Sequence, residues 1–67
     1  MKRDSKSLGQ KIKKLRKTKG MTQVELAVAI RLSPSYISSL EQGVRQPSLK
    51  TLNRISKALG VNLKDLL

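Results

Sequence analysis

The 67-residue sequence contains no Cys, His, Trp or Phe, and its one aromatic residue is Tyr36. Without Cys there is neither a disulfide framework nor a thiolate metal site. Without His the commonest zinc ligand and the commonest general base are missing too. Acidic residues are almost as scarce, with Asp4, Glu25, Glu41 and Asp65 the whole set. This inventory leads us to expect no metal, no cofactor, no small-molecule ligand and no enzyme activity. Long apolar runs are also lacking: the longest is Leu26 to Ile30, against the roughly 20 residues a membrane span requires. Lys2 and Arg3 resemble the start of a secretory signal, but no apolar stretch follows them, so the expected location is cytoplasmic. A chain this short holds one small domain with a modest core and little room for a deep cleft.

What the sequence does have is positive charge. Fifteen Lys and Arg against four acids give a formal +11, which self-repels in the folded state and calls for a polyanionic partner. The charge is unevenly placed: +8 over residues 1–20, −1 over 21–43 and +4 over 44–67. Basic flanks therefore surround a near-neutral middle. At 37% hydrophobic, the composition is globular and not disordered.

The chain reads as helical throughout. Residues 1–7 lack periodicity and are expected to form a mobile basic arm. From Leu8 onwards, Leu8, Ile12 and Leu15 share one helical face while Lys13, Lys14 and Lys17 project from the other, and Gly20 stops this helix. Thr22 and Glu25 have the spacing of a capping box, which starts a second helix at Gln23 that runs through Leu26, Ala27 and Ile30. Ser33 followed by Pro34 is an N-cap with proline at the first helical position, so a third helix begins about four residues later. It ends before Gly43, and residues 44–47 form a connection. Ser48 caps a fourth helix whose apolar stripe is Leu49, Leu52, Ile55 and Leu59, and Gly60 stops it. Asn62 and Asp65 have cap spacing for a short fifth helix carrying Leu63, Leu66 and Leu67. No segment alternates as a strand does.

Two short helices joined by a tight turn inside a basic protein have the outline of a DNA-binding helix-turn-helix. Gly20-Met-Thr-Gln23, Glu25-Leu-Ala27, Ser33 to Gly43, Pro47-Ser-Leu49 and Ala58-Leu-Gly-Val61 carry a closer likeness. Over residues 8–67 the sequence resembles the lambda-repressor-like, Cro/cI-type helix-turn-helix family, which includes phage repressors, antitoxin-type repressors and restriction-modification controller proteins. The resemblance implies a compact, all-α, five-helix domain whose second and third helices form the motif. Leu26, Ile30, Leu32, Ile37 and Leu40 then fill its apolar positions, with Ala27 at the helix crossing. One position departs from the pattern. The turn residue that the family usually fills with Gly is Arg31, where φ > 0 is commonly required and a side chain carries a cost.

A helical wheel over Pro34 to Gln42 places Ile37 and Leu40 on the core face, with Glu41 beside them. Ser35, Ser39 and Gln42 lie opposite, and Ser38 is at their margin. These are neutral donors and acceptors suited to base edges. The resemblance assigns base contacts to Pro34, Ser35 and Ser39, and Ser38 joins them from the wheel. Because Ser and Pro read bases weakly, DNA shape is expected to supply part of the specificity. For phosphate contacts the candidates are Gln23 at the start of helix 2, Tyr36 and Gln42 beside the reading face, Arg45 and Gln46 in the following loop, and Arg31 in the turn. Lys2 and Arg3 on the arm add to these. The resemblance also joins Arg16 to Glu41 by a structural salt bridge.

The expected partner is double-stranded DNA, bound by a homodimer on a palindromic operator as a transcriptional regulator that represses. Val61, Leu63, Leu66 and Leu67 are candidates for the two-fold interface, and the last three serve equally to close the core. Val24 and Val28 lie outside the expected core. Two rivals remain. A cationic membrane-active protein would lack interfacial Trp and Phe, and an antitoxin would lack a segment to wrap its toxin.

Overall fold

Four α-helices and one 3-10 turn make up the regular structure of residues 5–67, the part described by the computed structural model. They are α1 (Ser5–Thr18), α2 (Gln23–Ile30), α3 (Pro34–Glu41), α4 (Leu49–Leu59) and the turn Leu63–Asp65. Helix α1 starts three residues earlier than its periodicity suggests, taking in residues expected to belong to the arm. Its first turn is seated by packing, because the backbone of Lys6 lies against Gly43, where a Cβ would come within 2.7 Å of the Lys6 Cα. Met1, Lys2, Arg3 and Asp4 lie outside the described residues.

The cap signals act as their chemistry dictates. The Thr22 hydroxyl accepts from the Glu25 N–H while the Glu25 carboxylate accepts from the Thr22 N–H, at 3.0 and 2.8 Å. Ser33 and Ser48 cap α3 and α4 by the first half of this exchange alone, their hydroxyls accepting from the Tyr36 and Thr51 N–H groups at 3.1 Å. Each α-helix then closes with one i→i−5 and one i→i−3 backbone bond beyond its last turn, the Schellman pattern. Three of these closures use Gly20, Gly43 and Gly60 at φ 72°, 79° and 69°. The fourth uses Arg31 at φ 61°, ψ 40°. Arg31 therefore adopts the left-handed conformation of the glycine it replaces, with Leu32 N–H donating to the Ala27 carbonyl at 2.9 Å.

The expected fifth helix is a single 3-10 turn. Asp65 accepts from the Asn62 N–H at 3.1 Å and Leu66 donates to the Leu63 carbonyl at 2.9 Å, which delivers Leu66 to the core after one turn. Among the described residues there is no strand, and no helix is long and apolar enough to cross a membrane.

Among the described residues, eleven buried hydrophobic residues form one core: Leu8 and Ile12 of α1, Leu26, Ala27 and Ile30 of α2, Ile37 and Leu40 of α3, Leu52, Ile55 and Leu59 of α4, and Leu66. Burial of each large aliphatic contributes about 1.5–3 kcal/mol. Helix α3 packs on α1 and α2, and α2 packs on α3 and α4. Two expected core positions differ. Leu49 is 64% exposed because it opens α4 before the stripe turns inward, and Leu32 is 37% exposed in the turn. Gly9, in the interior of α1, is buried where the Leu40 and Glu41 carbonyls of α3 press on it. A Cβ there would collide with both.

Candidate nucleic-acid interface

With its back held by α1 and α2, α3 turns its other side outward. Pro34, Ser35 and Gln42 are exposed, and Ser38 and Ser39 are half-buried. Gln42 Nε2 donates to Ser38 Oγ at 2.8 Å, which leaves the Ser38 hydroxyl hydrogen available to a ligand. The face carries no charge, and its polar atoms stand on a rigid helix.

The loop after α3 folds back along it. Val44 and Arg45 both donate their backbone N–H to the Ser39 carbonyl, at 3.0 and 3.3 Å. That brings the Arg45 guanidinium over the Tyr36 ring, 5.7 Å from its centroid. Leu32, Ser33, Ser35, Tyr36 and Arg45 line a shallow depression beside the exposed face. Tyr36 is half-buried, with Arg45 and Gln46 exposed beyond it. Ser35, Tyr36 and Arg45, named separately from the sequence, thus come together at one edge.

Arg31 stands apart from this group. It lines a second open cleft, between the end of α2 and α4, with Ala29, Ile30, Arg54, Lys57 and Ala58. The cationic character of that cleft was invisible in the sequence because it depends on how α2 crosses α4.

At the other end of α2 lies a buried polar network. Arg16 Nε and Nη2 donate to Glu41 Oε2 and Oε1 at 2.6 and 3.0 Å, and Arg16 Nη1 donates to the Met21 carbonyl at 2.7 Å. Gln23 Nε2 donates to Glu41 Oε1 at 3.0 Å. Burial pushes the Glu41 carboxyl up, but the hydrogen bonds from Arg16 and Gln23 and the charges of Arg16 and Lys13 outweigh it and hold the group below its ordinary value. The Glu41 hydrogen bond raises Arg16 further, against the effect of its burial. The sequence offers Gln23 only as a phosphate contact at the start of helix 2. Its inward bond could not be read from spacing alone, since it joins positions 18 apart.

Of the residues considered for a two-fold interface, Leu66 is 1% exposed and cannot serve. The 3-10 turn directs it into the core. Val61 and Leu63 are half-buried, and Leu67 is 46% exposed.

Comparison with known proteins agrees with this architecture. A family model described as helix-turn-helix matches residues 12–66. The control protein C.BamHI of Bacillus amyloliquefaciens is 48% identical over 60 residues, covering 88% of this chain and 74% of that one. The restriction-modification controller protein C.AhdI from Aeromonas hydrophila superposes with a TM-score of 0.92 at 33% identity, covering 96% of this chain and 93% of that one. The biofilm regulator SinR, solved in complex with DNA, gives 0.83 at 38% identity, covering 88% and 95%. From the sequence match and the shared fold together, the chain belongs to the Cro/cI-type helix-turn-helix family.

Proposed function

We propose that this protein is a sequence-specific, double-stranded-DNA-binding transcriptional repressor. In this reading α2 and α3 form the helix-turn-helix, and α3 enters the major groove. Pro34, Ser35, Ser38 and Ser39 meet base edges. Gln23, Tyr36, Gln42, Arg45 and Gln46 hold the sugar-phosphate backbone, with Arg31 at its margin. The observation that carries the reading is the uncharged, hydrogen-bonding outer face of α3 in a protein of net charge +11. Cations supply affinity that is indifferent to sequence, and a neutral helix is left to discriminate bases. The SinR complex shows a protein of this fold on DNA.

The protein acts in the cytoplasm, where it binds as a homodimer through Val61, Leu63 and Leu67. Two-fold symmetry then doubles a small contact area and matches a palindromic site. A second reading, control of a restriction-modification system, is favoured by the identity to C.BamHI and by the near-complete coverage of C.AhdI.

Selection of bound duplexes from a random pool tests the reading. It should recover a two-fold-symmetric site with half-sites about one helical turn apart. Indifferent binding to every sequence, lost uniformly as salt rises, would refute sequence-specific regulation.

A further inference from the structure

Gln23 faces two ways. As the first residue of α2 it stands where helix N–H groups have no intrahelical acceptors. Thr22 takes up the N–H of Glu25, and among the described residues no acceptor takes up those of Gln23 and Val24. The Gln23 side chain meanwhile reaches inward to Glu41.

The chemistry of Glu41 makes that inward bond directional. A carboxylate held ionised by Arg16 only accepts hydrogen bonds, so it dictates which end of the Gln23 amide faces it. The nitrogen is turned inward, with one hydrogen engaged by Glu41 and the other left over. Held this way, the amide keeps one orientation beside the N–H groups at the start of α2. Arg16 alone already neutralises Glu41, so charge balance does not require the Gln23 bond. What the bond adds is a fixed amide.

The same guanidinium fixes the chain leading into α2. Arg16 Nη1 donates to the Met21 carbonyl, and the Met21 N–H donates to the Arg16 carbonyl at 3.0 Å. Glu41 is the last residue of α3, the helix that presents Ser35 and Ser39. The donors at the start of α2 are therefore tied to the far end of the reading helix through a single carboxylate.

We propose that Glu41 is a positioning residue for DNA binding: it orients the Gln23 amide and fixes the α2 phosphate site in register with the base-reading face of α3. This inference rests on the DNA-binding reading above and concerns how one of its contacts is built.

A double-mutant cycle on duplex affinity tests it, using Glu41→Gln, Gln23→Ala and the double variant. The probe is a duplex recovered by selection, and each variant is measured at a temperature where circular dichroism shows it folded. Glutamine at 41 keeps the shape but can donate or accept, so it no longer dictates the amide. Glu41→Gln should weaken binding about fivefold to tenfold when Gln23 is present, the loss of roughly one hydrogen bond, and less than about twofold in the Gln23→Ala background. Equal losses in both backgrounds would assign Glu41 a structural role only and overturn the proposal. If Gln23→Ala itself binds as tightly as the parent, the phosphate contact of Gln23 is wrong, a failure distinct from that of the positioning role. A measurement on the unsubstituted protein stands even if Glu41→Gln does not fold. In nitrogen-proton NMR spectra one Gln23 side-chain amide hydrogen should be shifted and exchange-protected relative to exposed Gln10. Coincidence of the two residues would contradict an amide held by Glu41.

Discussion

Arg16 and Glu41 face each other across the α1–α3 contact as a two-pronged pair, Nε to Oε2 at 2.6 Å and Nη2 to Oε1 at 3.0 Å, with side chains 7% and 3% exposed. Taking two charges out of water is costly, and geometry this close offsets the cost only while both partners are present. Arg16→Ala leaves Glu41 buried with Gln23 as its remaining hydrogen-bond donor. The variant should lose about 3–5 kcal/mol of stability, read from the urea midpoint at unchanged slope. A loss below about 1 kcal/mol would place the pair energetically at the surface.

The same pair makes stability depend on acid. The folded-state value of Glu41 lies below its ordinary one, so between the two the unfolded chain binds more protons. The contribution is fully present above the ordinary carboxylate range and is lost as pH falls through the depressed folded value. Thermal midpoints measured from pH 6 down to pH 2 should therefore fall more steeply for the parent than for Glu41→Gln. Parallel curves would contradict the assignment.

Gly9 yields a prediction opposite to helix propensity. In an open helix, Gly→Ala gains about 1 kcal/mol. Here the added Cβ meets the Leu40 and Glu41 carbonyls, backbone atoms that cannot swing aside. Gly9→Ala should destabilise by about 1–3 kcal/mol as α1 is pushed off α3. Stabilisation of the variant would show that the helices separate freely.

Arg31 should respond in the reverse sense. Its left-handed conformation at φ 61° costs a side-chain-bearing residue about 1–2 kcal/mol, partly offset because glycine loses more entropy on folding. Arg31→Gly should thus raise stability by about 0.5–1 kcal/mol, measured by denaturant titration.

These residues also mark what can be read from a sequence. Local chemistry was legible: the Thr22–Glu25 capping box, the Ser33 and Ser48 caps and the glycine stops each depend on neighbours within a few positions. So was the outward face of α3, because Ile37 and Leu40 set its phase. The resemblance to a known family, not the spacing, supplied the Arg16–Glu41 pair. Interactions that depend on helix crossings were not legible. The Gln23–Glu41 bond, the pressure on Gly9 and the grouping of Arg31 with Arg54 and Lys57 all arise only once the helices cross. Gly9 did leave a trace, since glycine inside a helical period is unfavourable and needs a reason. The terminal leucines divide, because a single 3-10 turn sends Leu66 into the core and leaves Leu67 exposed.

The central claim is a division of labour in which α3 reads bases while Gln23 and its neighbours hold phosphates. The most direct measurement compares Ser39→Ala and Gln23→Ala on a panel of duplexes bearing every single-base change in the selected site. Ser39→Ala should flatten preference at one base position per half-site, where a mismatch otherwise costs about 1–3 kcal/mol, and Gln23→Ala should weaken every duplex by a common factor. A uniform loss from Ser39→Ala, or a base-specific one from Gln23→Ala, would contradict the account.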